Sequence, residues 1–168
     1  ISVDDVVCYG DADGVITVNA DSGSGVYHYY LEIYNSSFPF NGGWQSLGQV
    51  PAPGQHTIIT TISFSNLPAD TFRVVLEDTA NQCFDTIGFP LLNLFVFEPN
   101  EIIVSESVTN ATNIVTNDGS VNLLVSGGVI PYVFSWNGPN GFTSSSQNIN
   151  NLQNGIYSYS ITDSNGCV

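Results

Sequence analysis

Residues 116–136, TNDGSVNLLVSGGVIPYVFSW, contain the clearest indication of how the chain folds. This stretch contains two short apolar-rich runs, residues 120–125 and 132–136, separated by glycine and proline. Short runs of branched and aromatic residues between turn residues are typical of the strands of a β-sandwich. Asp118-Gly119, in front of the first run, predicts a tight turn, and so does Asp13-Gly14 nearer the start of the chain, because glycine accepts the positive φ that primed hairpin turns require.

A similar stretch occurs nearer the start of the chain. A shift of 105 positions aligns residues 1–31 with residues 106–136 without a gap, and a shift of 85 aligns residues 62–78 with residues 147–163. Because the shifts differ by 20, the first copy carries an insertion of that size, at about residues 35–55. The matched pairs include Val3/Val108, Asp13-Gly14/Asp118-Gly119, Tyr27/Tyr132, Asn66-Leu67/Asn151-Leu152, Phe72/Tyr157 and Asp78/Asp163.

The second copy is shorter than the first. It has no counterpart of residues 91–97 (LLNLFVF), an apolar run that we interpret as a strand. A missing strand leaves an open sheet edge, which flanking repeats or another chain would complete. We therefore expect two domains, residues 1–97 and residues 98–168, of which the second lacks its last strand.

Alternation of apolar and polar residues predicts further strands with one buried face. Phe72, Val74 and Leu76 alternate with more polar neighbours, as do residues 157–162. No segment combines an amphipathic helical period with helix caps. The sequence therefore predicts an all-β fold. The remaining predicted strands are residues 15–20, 27–34, 57–64, 91–97 and 102–104.

Charge and composition limit the classes of partner. The 168 residues include 15 acidic residues and a single basic one, Arg73, apart from two histidines, and the formal net charge is -14. Nucleic acids and anionic membranes are bound through clustered Lys and Arg, so neither is an expected partner. No apolar run reaches the roughly 18 to 20 residues of a membrane span. Abundant neutral polar residues are typical of a secreted β protein, so we expect an extracellular location.

The second copy carries several motifs of a known repeat. Its lead-in FEP (residues 97–99), the stretch TNDGSVNLLVSGGVIPYVFSW, and NINNLQNGIYSYSITDSNGC (residues 148–167) resemble the SprB-type repeat of gliding-motility and cell-surface adhesins of Bacteroidetes. In that family the elements EP, DG, SGG..PY..W, L..G.Y and TD.NGC recur in this order. The first copy departs from the pattern, with SGSGVY as its turn, Leu31 in place of Trp136, and the insertion.

The resemblance implies tandem immunoglobulin-like β-sandwiches in a long, repetitive protein of the bacterial cell surface. Such proteins are exported by type IX secretion and act as adhesins, with neighbouring repeats and a surface polysaccharide or the substratum as partners. Two other functions stay open. One is a static extracellular fibre or filament whose subunits self-associate by strand exchange, and the other is a polysaccharide-binding accessory module of a secreted enzyme.

The resemblance also implies a disulfide. Cys8 and Cys83 lie where the paired cysteines of the family lie, so we predict that they are bonded, with two buried free thiols as the alternative. Asn113 stands at the position that matches Cys8 in the second copy, so we expect Cys167 to be free or bonded outside the chain. No C-x-x-C motif indicates a zinc or redox site.

Four carboxylates near one end of the first copy could bind a cation. They are Asp4, Asp5, Asp11 and Asp13. Ca²⁺ takes six to eight oxygen ligands from such side chains and from loop carbonyls, so an interdomain calcium site is one interpretation. The alternative is a turn-forming Asp13 beside a solvated acidic face. We expect no other cofactor.

The insertion contributes three aromatic residues, Phe38, Phe40 and Trp44, among glycine, proline and asparagine. Aromatic rings exposed in a loop can stack on sugar faces or anchor a protein partner, because they bury a large area with little loss of entropy. The alternative is a loop that folds back over its own sandwich.

Two threonines match a short pattern for bacterial O-glycosylation, Thr79 in Asp-Thr-Ala and Thr86 in Asp-Thr-Ile. Catalysis finds little support in the sequence. His28 and His56 are the sole imidazoles, and neither a nucleophile elbow nor a metal-binding H-E-x-x-H motif occurs. We therefore expect that the chain is not an enzyme.

Overall fold

The computed structural model describes residues 1–20, 27–35, 43–50, 61–79, 83–87, 93–113 and 115–168; for residues 35, 49, 50 and 83–87 it describes the backbone alone. The described part contains fourteen strands and no α-helix, which confirms the predicted all-β class. Among these residues no helix long and apolar enough to cross a membrane is found. The chain divides into two compact units, Ile1–Glu98 and Pro99–Val168.

Unit 1 (Ile1–Glu98) is built from two antiparallel sheets. The first has the strand order β1-β2-β5, and the second has the order β4-β3-β6-β7, with β8 also paired to β6. β7 pairs with residues 74–78 of β6 and β8 with residues 70–72, so β7 and β8 share one edge of β6. The strands are β1 (Ser2–Asp4), β2 (Gly14–Asn19), β3 (Tyr27–Asn35), β4 (Gly43–Val50), β5 (Thr61–Leu67), β6 (Asp70–Asp78), β7 (Cys83–Ile87) and β8 (Leu94–Val96).

The core of unit 1 lies between these two sheets. Alternate residues of each strand point inward because successive side chains of a strand lie on opposite faces. Tyr29 and Phe72, for example, are fully buried. The two sheets therefore form a sandwich around one apolar cluster. Its buried members are Val6, Ile16, Val18, Tyr27, Tyr29, Leu31, Leu67, Phe72, Val74, Leu94 and Val96.

Unit 2 (Pro99–Val168) has the same plan with fewer strands. One sheet has the order β13-β10-β9 and the other the order β12-β11-β14. The buried core contains Val121, Leu123, Trp136, Ile149, Leu152 and Ile161. The strands are β9 (Ile103–Thr109), β10 (Gly119–Ser126), β11 (Val133–Asn137), β12 (Thr143–Ser144), β13 (Ile149–Leu152) and β14 (Ser158–Thr162), with a 3-10 turn at Pro139–Gly141.

The hydrogen-bonded registers of the two units repeat with the shifts found in the sequence. Val3 pairs with Ile16 in unit 1, and Val108 pairs with Val121 in unit 2, which is a shift of 105 for both partners. Pairs that join the first half of a copy to its second half combine the shift of 105 with the shift of 85. Ile16/Phe64 in unit 1 is equivalent to Val121/Ile149 in unit 2. Leu31/Val74 in unit 1 is likewise equivalent to Trp136/Tyr159 in unit 2.

Both units contain the same bulge. Asn66 and Asn151 have left-handed backbone angles, with φ of 58° and 56°. In unit 2 the register shifts by one residue after the Gly119–Leu152 pair, so Asn151 is the extra residue, and unit 1 shows a register shift at the equivalent place. Asparagine tolerates this conformation better than other residues with a side chain, which explains its presence in both copies.

The expected tight turn at the two Asp-Gly pairs is wrong. Gly14 and Gly119 are the first residues of β2 and β10, and neither is among the residues with positive φ. A Cβ atom on Gly14 would lie 2.5 Å from Val96 Cγ1 and 2.9 Å from the Leu67 carbonyl oxygen. A Cβ on Gly119 would lie 3.0 Å from the Leu152 carbonyl oxygen. Glycine is needed here for close packing of the backbone rather than for a special backbone angle.

The insertion is not a loop throughout. Its residues 43–50 form β4, which pairs with β3 along residues 29–35 and extends the larger sheet of unit 1. Phe38 and Phe40 lie outside the described residues. The immunoglobulin-like form of the sandwich stays a prediction.

Candidate functional site

The aspartate of each Asp-Gly pair holds the loop in front of it. Asp13 Oδ1 accepts a hydrogen bond from the Val7 amide at 3.0 Å, and Asp118 Oδ1 accepts one from the Thr112 amide at 2.9 Å. The two donors match under the shift of 105. Bonds from the amide and hydroxyl of Thr112 and from the hydroxyl of Thr116 hold the pKa of Asp118 below its usual value. This aspartate stabilises the fold.

Asp163 joins two sequence motifs of unit 2. Its buried carboxylate accepts hydrogen bonds from the amide of Val129 at 2.9 Å and from the amides of Asn165 and Cys167 at 2.8 and 3.0 Å. Burial by itself raises the pKa of Asp163, but the backbone donors outweigh it, so the pKa is lowered. The glycine-rich SGG..PY loop and the TD.NGC turn therefore meet at one ionised side chain.

The four aspartates proposed as calcium ligands have separate roles or positions. Asp5 Oδ1 accepts a hydrogen bond from the Phe97 amide at 2.9 Å, and Asp13 holds the Val7 amide. Across the described part of the chain, no group of three or more His, Cys, Asp and Glu side chains is placed to hold a metal ion. The structure thus does not bring Asp4, Asp5, Asp11 and Asp13 together as a ligand set, and the calcium site stays a prediction.

Unit 1 presents a second face that carries aromatic and charged groups. On β3, Tyr27, Tyr29 and Leu31 point into the core, so the residues between them point away from it. Together with their neighbours on β4 and β6 they form what we call the outer face of unit 1. Its members are His28, Tyr30, Glu32, Tyr34, Trp44, Arg73 and Glu77.

One half of the outer face is centred on Glu77. The Tyr30 hydroxyl donates a hydrogen bond to Glu77 Oε2 at 2.7 Å, and His28 Nδ1 lies 3.6 Å from the same oxygen. The hydrogen bond, with smaller contributions from burial and from the charge of Glu77, raises the pKa of Tyr30 to about 12. His28 is half-buried in this cluster.

The other half of the outer face surrounds Trp44. Arg73, the single Lys or Arg of the chain, donates a hydrogen bond to Glu32 and places its guanidinium carbon 4.5 Å from the centroid of the Trp44 ring. The Tyr34 ring packs edge-on against Trp44 with centroids 5.5 Å apart. Trp44 is therefore a half-buried residue of a strand, held between a cation and a second ring, rather than a ring exposed in a loop.

Sequence reasoning did not single out Arg73 or Tyr34 for this face, although a signal was present. The alternation that marked β6 as a strand also placed its one cation on the side away from the core. The periodicity of the sequence does not show that β3 pairs with the insertion. That pairing places Tyr34 opposite Trp44.

A second aromatic pair lies on β8 and the residue after it. Phe95 and Phe97 are 46% and 62% exposed, and their rings are stacked with centroids 5.7 Å apart. Leu94 and Val96, which alternate with them, point into the core. The outer face and this phenylalanine pair together supply flat apolar area beside hydrogen-bonding groups, which suits contact with sugar rings or with a protein side chain.

Cys8 and Cys167 are joined in a disulfide. The pairing of Cys8 with Cys83 that the resemblance implied is therefore wrong, and so is the expectation that Cys167 is free or bonded outside the chain. Three cysteines permit a single disulfide within the chain, and their spacing does not choose the pair. The side chain of Cys83 lies outside the described residues.

The two possible glycosylation sites lie in or directly after two paired strands, β6 and β7. Thr79 follows β6 directly and is half-buried, and Thr86 lies in β7, with its side chain outside the described residues. The modification stays a prediction for both.

Comparison with protein families matches the SprB repeat at residues 1–32 and at residues 105–141. No curated protein matches the chain. The first match covers β1, β2 and the first part of β3, and the second covers their counterparts β9, β10 and β11. The matched segments include Asp13 and Asp118, the loop-holding aspartates. Each of the two units therefore contains a segment that is similar to the SprB repeat.

Proposed function

We propose that this chain is a structural and binding repeat segment of a large cell-surface adhesin of the gliding-motility type, in which it serves as stalk and adhesive array. The observation that carries the proposal is the SprB match in each of two units, both of which bury a core of their own. Units that fold around their own cores can be added in series without changing one another, which suits a long extracellular stalk.

The contacts of the repeated residues support a mechanical role. Asp13, Asp118 and Asp163 all bind backbone amides of their own unit. Residues that recur between copies thus hold the sandwich together. We therefore assign ligand binding to residues that differ between copies. In unit 1 these include Tyr34 and Trp44 on the outer face, and contact with a surface polysaccharide or the substratum would take place there.

The test uses living cells of the source organism. Beads coated with an antibody to this segment are filmed on the cell surface. Beads that travel along the cell are the expected result, because an adhesin of the gliding type is moved by the cell. Beads that bind and stay in place would overturn the motility part and leave a static surface array, and beads that do not bind would overturn the surface location.

A polysaccharide-binding accessory module is the second candidate, because Trp44 and Tyr34 combine two rings with the charged Arg73 and Glu32. The chain is passed over insoluble polysaccharides from the habitat of the organism. Retention that is lost with Trp44→Ala but kept with Leu47→Ala, a half-exposed residue of the same strand, would favour this candidate. Equal behaviour of both variants would remove it.

The static fibre is the third candidate. It requires self-association, and the measurement is light scattering of the isolated chain over a range of concentrations. Growth into polymers would favour a fibre, and a constant monomer mass would favour the adhesin stalk.

A further inference from the structure

The two units differ in how one strand pair of the first sheet is completed. In unit 1 the ladder between β2 and β5 includes the pair Val18/Ile62. Under the shifts of 105 and 85, the counterparts of these residues in unit 2 are Leu123 and Gln147. The ladder between β10 and β13 begins on the β13 side at Ile149, so this pair is not part of it.

Side chains take the place of the backbone pairing in unit 2. Gln147 Nε2 donates a hydrogen bond to the Leu123 carbonyl oxygen at 2.7 Å, and the Leu123 amide donates one to Asn148 Oδ1 at 2.9 Å. Both backbone groups of Leu123 are thereby satisfied. A bond that runs through a side chain keeps two backbones farther apart than a ladder does, in which strands lie about 4.7–4.9 Å apart. Residues 145–148, which join β12 to β13, therefore lie outside both sheets.

A cavity with a volume of about 220 Å³ lies along this segment. Its lining comes from β12, from β13, and from the residues before and between them. A cavity of about 150 Å³ already accommodates a benzene ring, whereas drug-sized ligands occupy about 300 Å³ or more. This cavity therefore has room for one six-membered ring with its substituents.

The lining combines neutral hydrogen-bonding groups with one aromatic ring. It includes the hydroxyls of Thr143 and Ser146, the amides of Asn148 and Asn150, and the half-buried ring of Phe142, and none of its residues is charged. Hydroxyls and amides both donate and accept hydrogen bonds, as sugar hydroxyls do. An aromatic ring packs against the apolar face of a sugar. The lining thus matches an uncharged sugar ring.

Contacts with the core of unit 2 fix the walls of the cavity. The buried Trp136 donates a hydrogen bond from Nε1 to the Ser146 carbonyl oxygen at 2.9 Å, and the Ser146 amide donates one to Ser144 Oγ at 3.1 Å. The Phe142 ring packs edge-on against Tyr157, with centroids 5.3 Å apart. A site whose walls are already ordered loses little entropy when a ligand binds.

The two asparagine amides are held by their oxygens. Asn148 Oδ1 accepts the bond from the Leu123 amide, and Asn150 Oδ1 accepts one from Asn151 Nδ2 at 2.8 Å. The amide nitrogens of Asn148 and Asn150 therefore remain available as donors to a ligand.

We propose that this cavity binds one ring of an uncharged hexose. The ring packs against Phe142, and its hydroxyls form hydrogen bonds with Thr143, Ser146, Asn148 and Asn150. Anionic sugars are disfavoured, because the chain has a net charge of -14 and the lining contains no cation. The proposal rests neither on the adhesin function nor on the outer face of unit 1.

The first test is an NMR titration of the isotope-labelled full chain with D-glucose, D-galactose and D-mannose. At least one hexose should cause saturable shifts of the amides of residues 142–150 and of the Trp136 indole, with a Kd of about 1 to 10 mM. Glucuronate and glycerol are the controls and should bind about tenfold more weakly or less. No saturable shift with any hexose, or equal binding of either control, would overturn the proposal.

Substitutions in the lining connect the shifts to the cavity. Thr143→Val removes an exposed hydroxyl and keeps the shape of the side chain, and Ser146→Ala removes the second hydroxyl. Each should raise the Kd by about threefold to tenfold, since one hydrogen bond is lost. Ser145→Ala, an exposed neighbour outside the lining, should leave the Kd unchanged. A Kd that neither lining variant raises above that of Ser145→Ala would overturn the proposal.

A linear tetramer of the same hexose tests the size of the site. Because the cavity has room for one ring, the Kd of the tetramer should lie within about tenfold of that of the monomer. Tighter binding than this would overturn a site for a single ring. All readouts lie in unit 2, so a failure leaves the adhesin proposal and the outer face of unit 1 to their own tests.

Discussion

At the scale of single residues, the repeated aspartates and glycines act on the backbone. Asp13 and Asp118 each accept the amide of a residue six positions earlier, and the glycines that follow them let two strands approach closely. An aspartate beside a glycine is usually interpreted as a turn, because both residues favour turns. The sequence shows the recurrence of the pair but does not distinguish a turn from a close backbone contact.

The close contact at Gly14 can be tested by adding one methyl group. Gly14→Ala should lower the free energy of unfolding of unit 1 by about 1–3 kcal/mol, because the new Cβ meets Val96 and the Leu67 carbonyl oxygen. The measurement is urea unfolding followed by Trp44 fluorescence in a Trp136→Phe background. Ser2→Ala, at an exposed position of β1, is the control and should have little effect. Equal stability of the two variants would contradict the packing role of Gly14.

The Tyr30–Glu77 hydrogen bond predicts a dependence on alkaline pH. The pKa of Tyr30 rises from its ordinary 10.0 to about 12 in the folded chain, so the folded state favours the neutral hydroxyl. The resulting stabilisation is complete below pH 10 and is lost as the pH rises through about 12. Ultraviolet titration of tyrosinate should show a component near pH 12 that is absent in Tyr30→Phe.

Glu77→Gln is the matched control for this titration. Removing the charge of the acceptor should move the Tyr30 component back toward its ordinary value of 10.0. A component near 12 that persists in Tyr30→Phe would assign the raised pKa to another tyrosine.

At the scale of secondary-structure elements, alternation located most strands but not their partners. The pattern of Phe72, Val74 and Leu76 is enough to predict β6, because a half-buried strand requires it. β4 could not be found in this way, since Gly43 and Gly48 interrupt its pattern and its partner β3 defines it. β13, which reads INNL, was missed because two of its four residues are exposed asparagines.

The bulge before β14 makes a prediction about one of those asparagines. Asn151→Val should destabilise unit 2 by about 1–2 kcal/mol, because a branched residue is strained in the left-handed conformation that Asn151 adopts. Asn151→Gly should be tolerated. Urea unfolding followed by Trp136 fluorescence in a Trp44→Phe background measures both.

The neighbouring Asn150 provides the control for the bulge. It is exposed, pairs with Ser120 in the ladder and is not among the residues with positive φ. Asn150→Val should therefore cost less than Asn151→Val. The reverse order would contradict a left-handed residue at position 151.

At the scale of the whole molecule, the internal repeat and the fold class could be predicted from the sequence. The contacts between distant residues could be identified only in the structure. The two ladders with equal registers follow from the repeat, but the disulfide partner of Cys8 does not. Likewise, the outer face depends on which strands lie side by side. The sequence thus predicted core residues such as Phe72 and Val74, whose burial is confirmed, but not which side chains share the outer face.

The net charge of -14 predicts a dependence on salt. Repulsion among carboxylates destabilises the compact state, and salt screens it, so the unfolding temperature should rise with NaCl between about 0.02 and 0.5 M. Differential scanning calorimetry measures the rise. A falling unfolding temperature would contradict a dominant repulsion.

Calcium chloride at matched ionic strength separates screening from binding. Screening alone gives the same unfolding temperature as NaCl. A further rise that is lost with Asp5→Asn and Asp13→Asn together, after correction for their effect in NaCl, would support the calcium site.

The position of Arg73 has a consequence for proteolysis. Trypsin cleaves after Lys or Arg, and this chain offers it one such bond, between Arg73 and the fully buried Val74 in the middle of β6. A protease acts on a segment that has opened, so native chain should resist trypsin. Chain in urea should be cut once, and reduction of the Cys8–Cys167 disulfide should then release two fragments, 1–73 and 74–168. Rapid cleavage without denaturant would contradict a paired β6. The rate of digestion by trypsin therefore reports the rate at which unit 1 opens, because unit 2 contains no Lys or Arg.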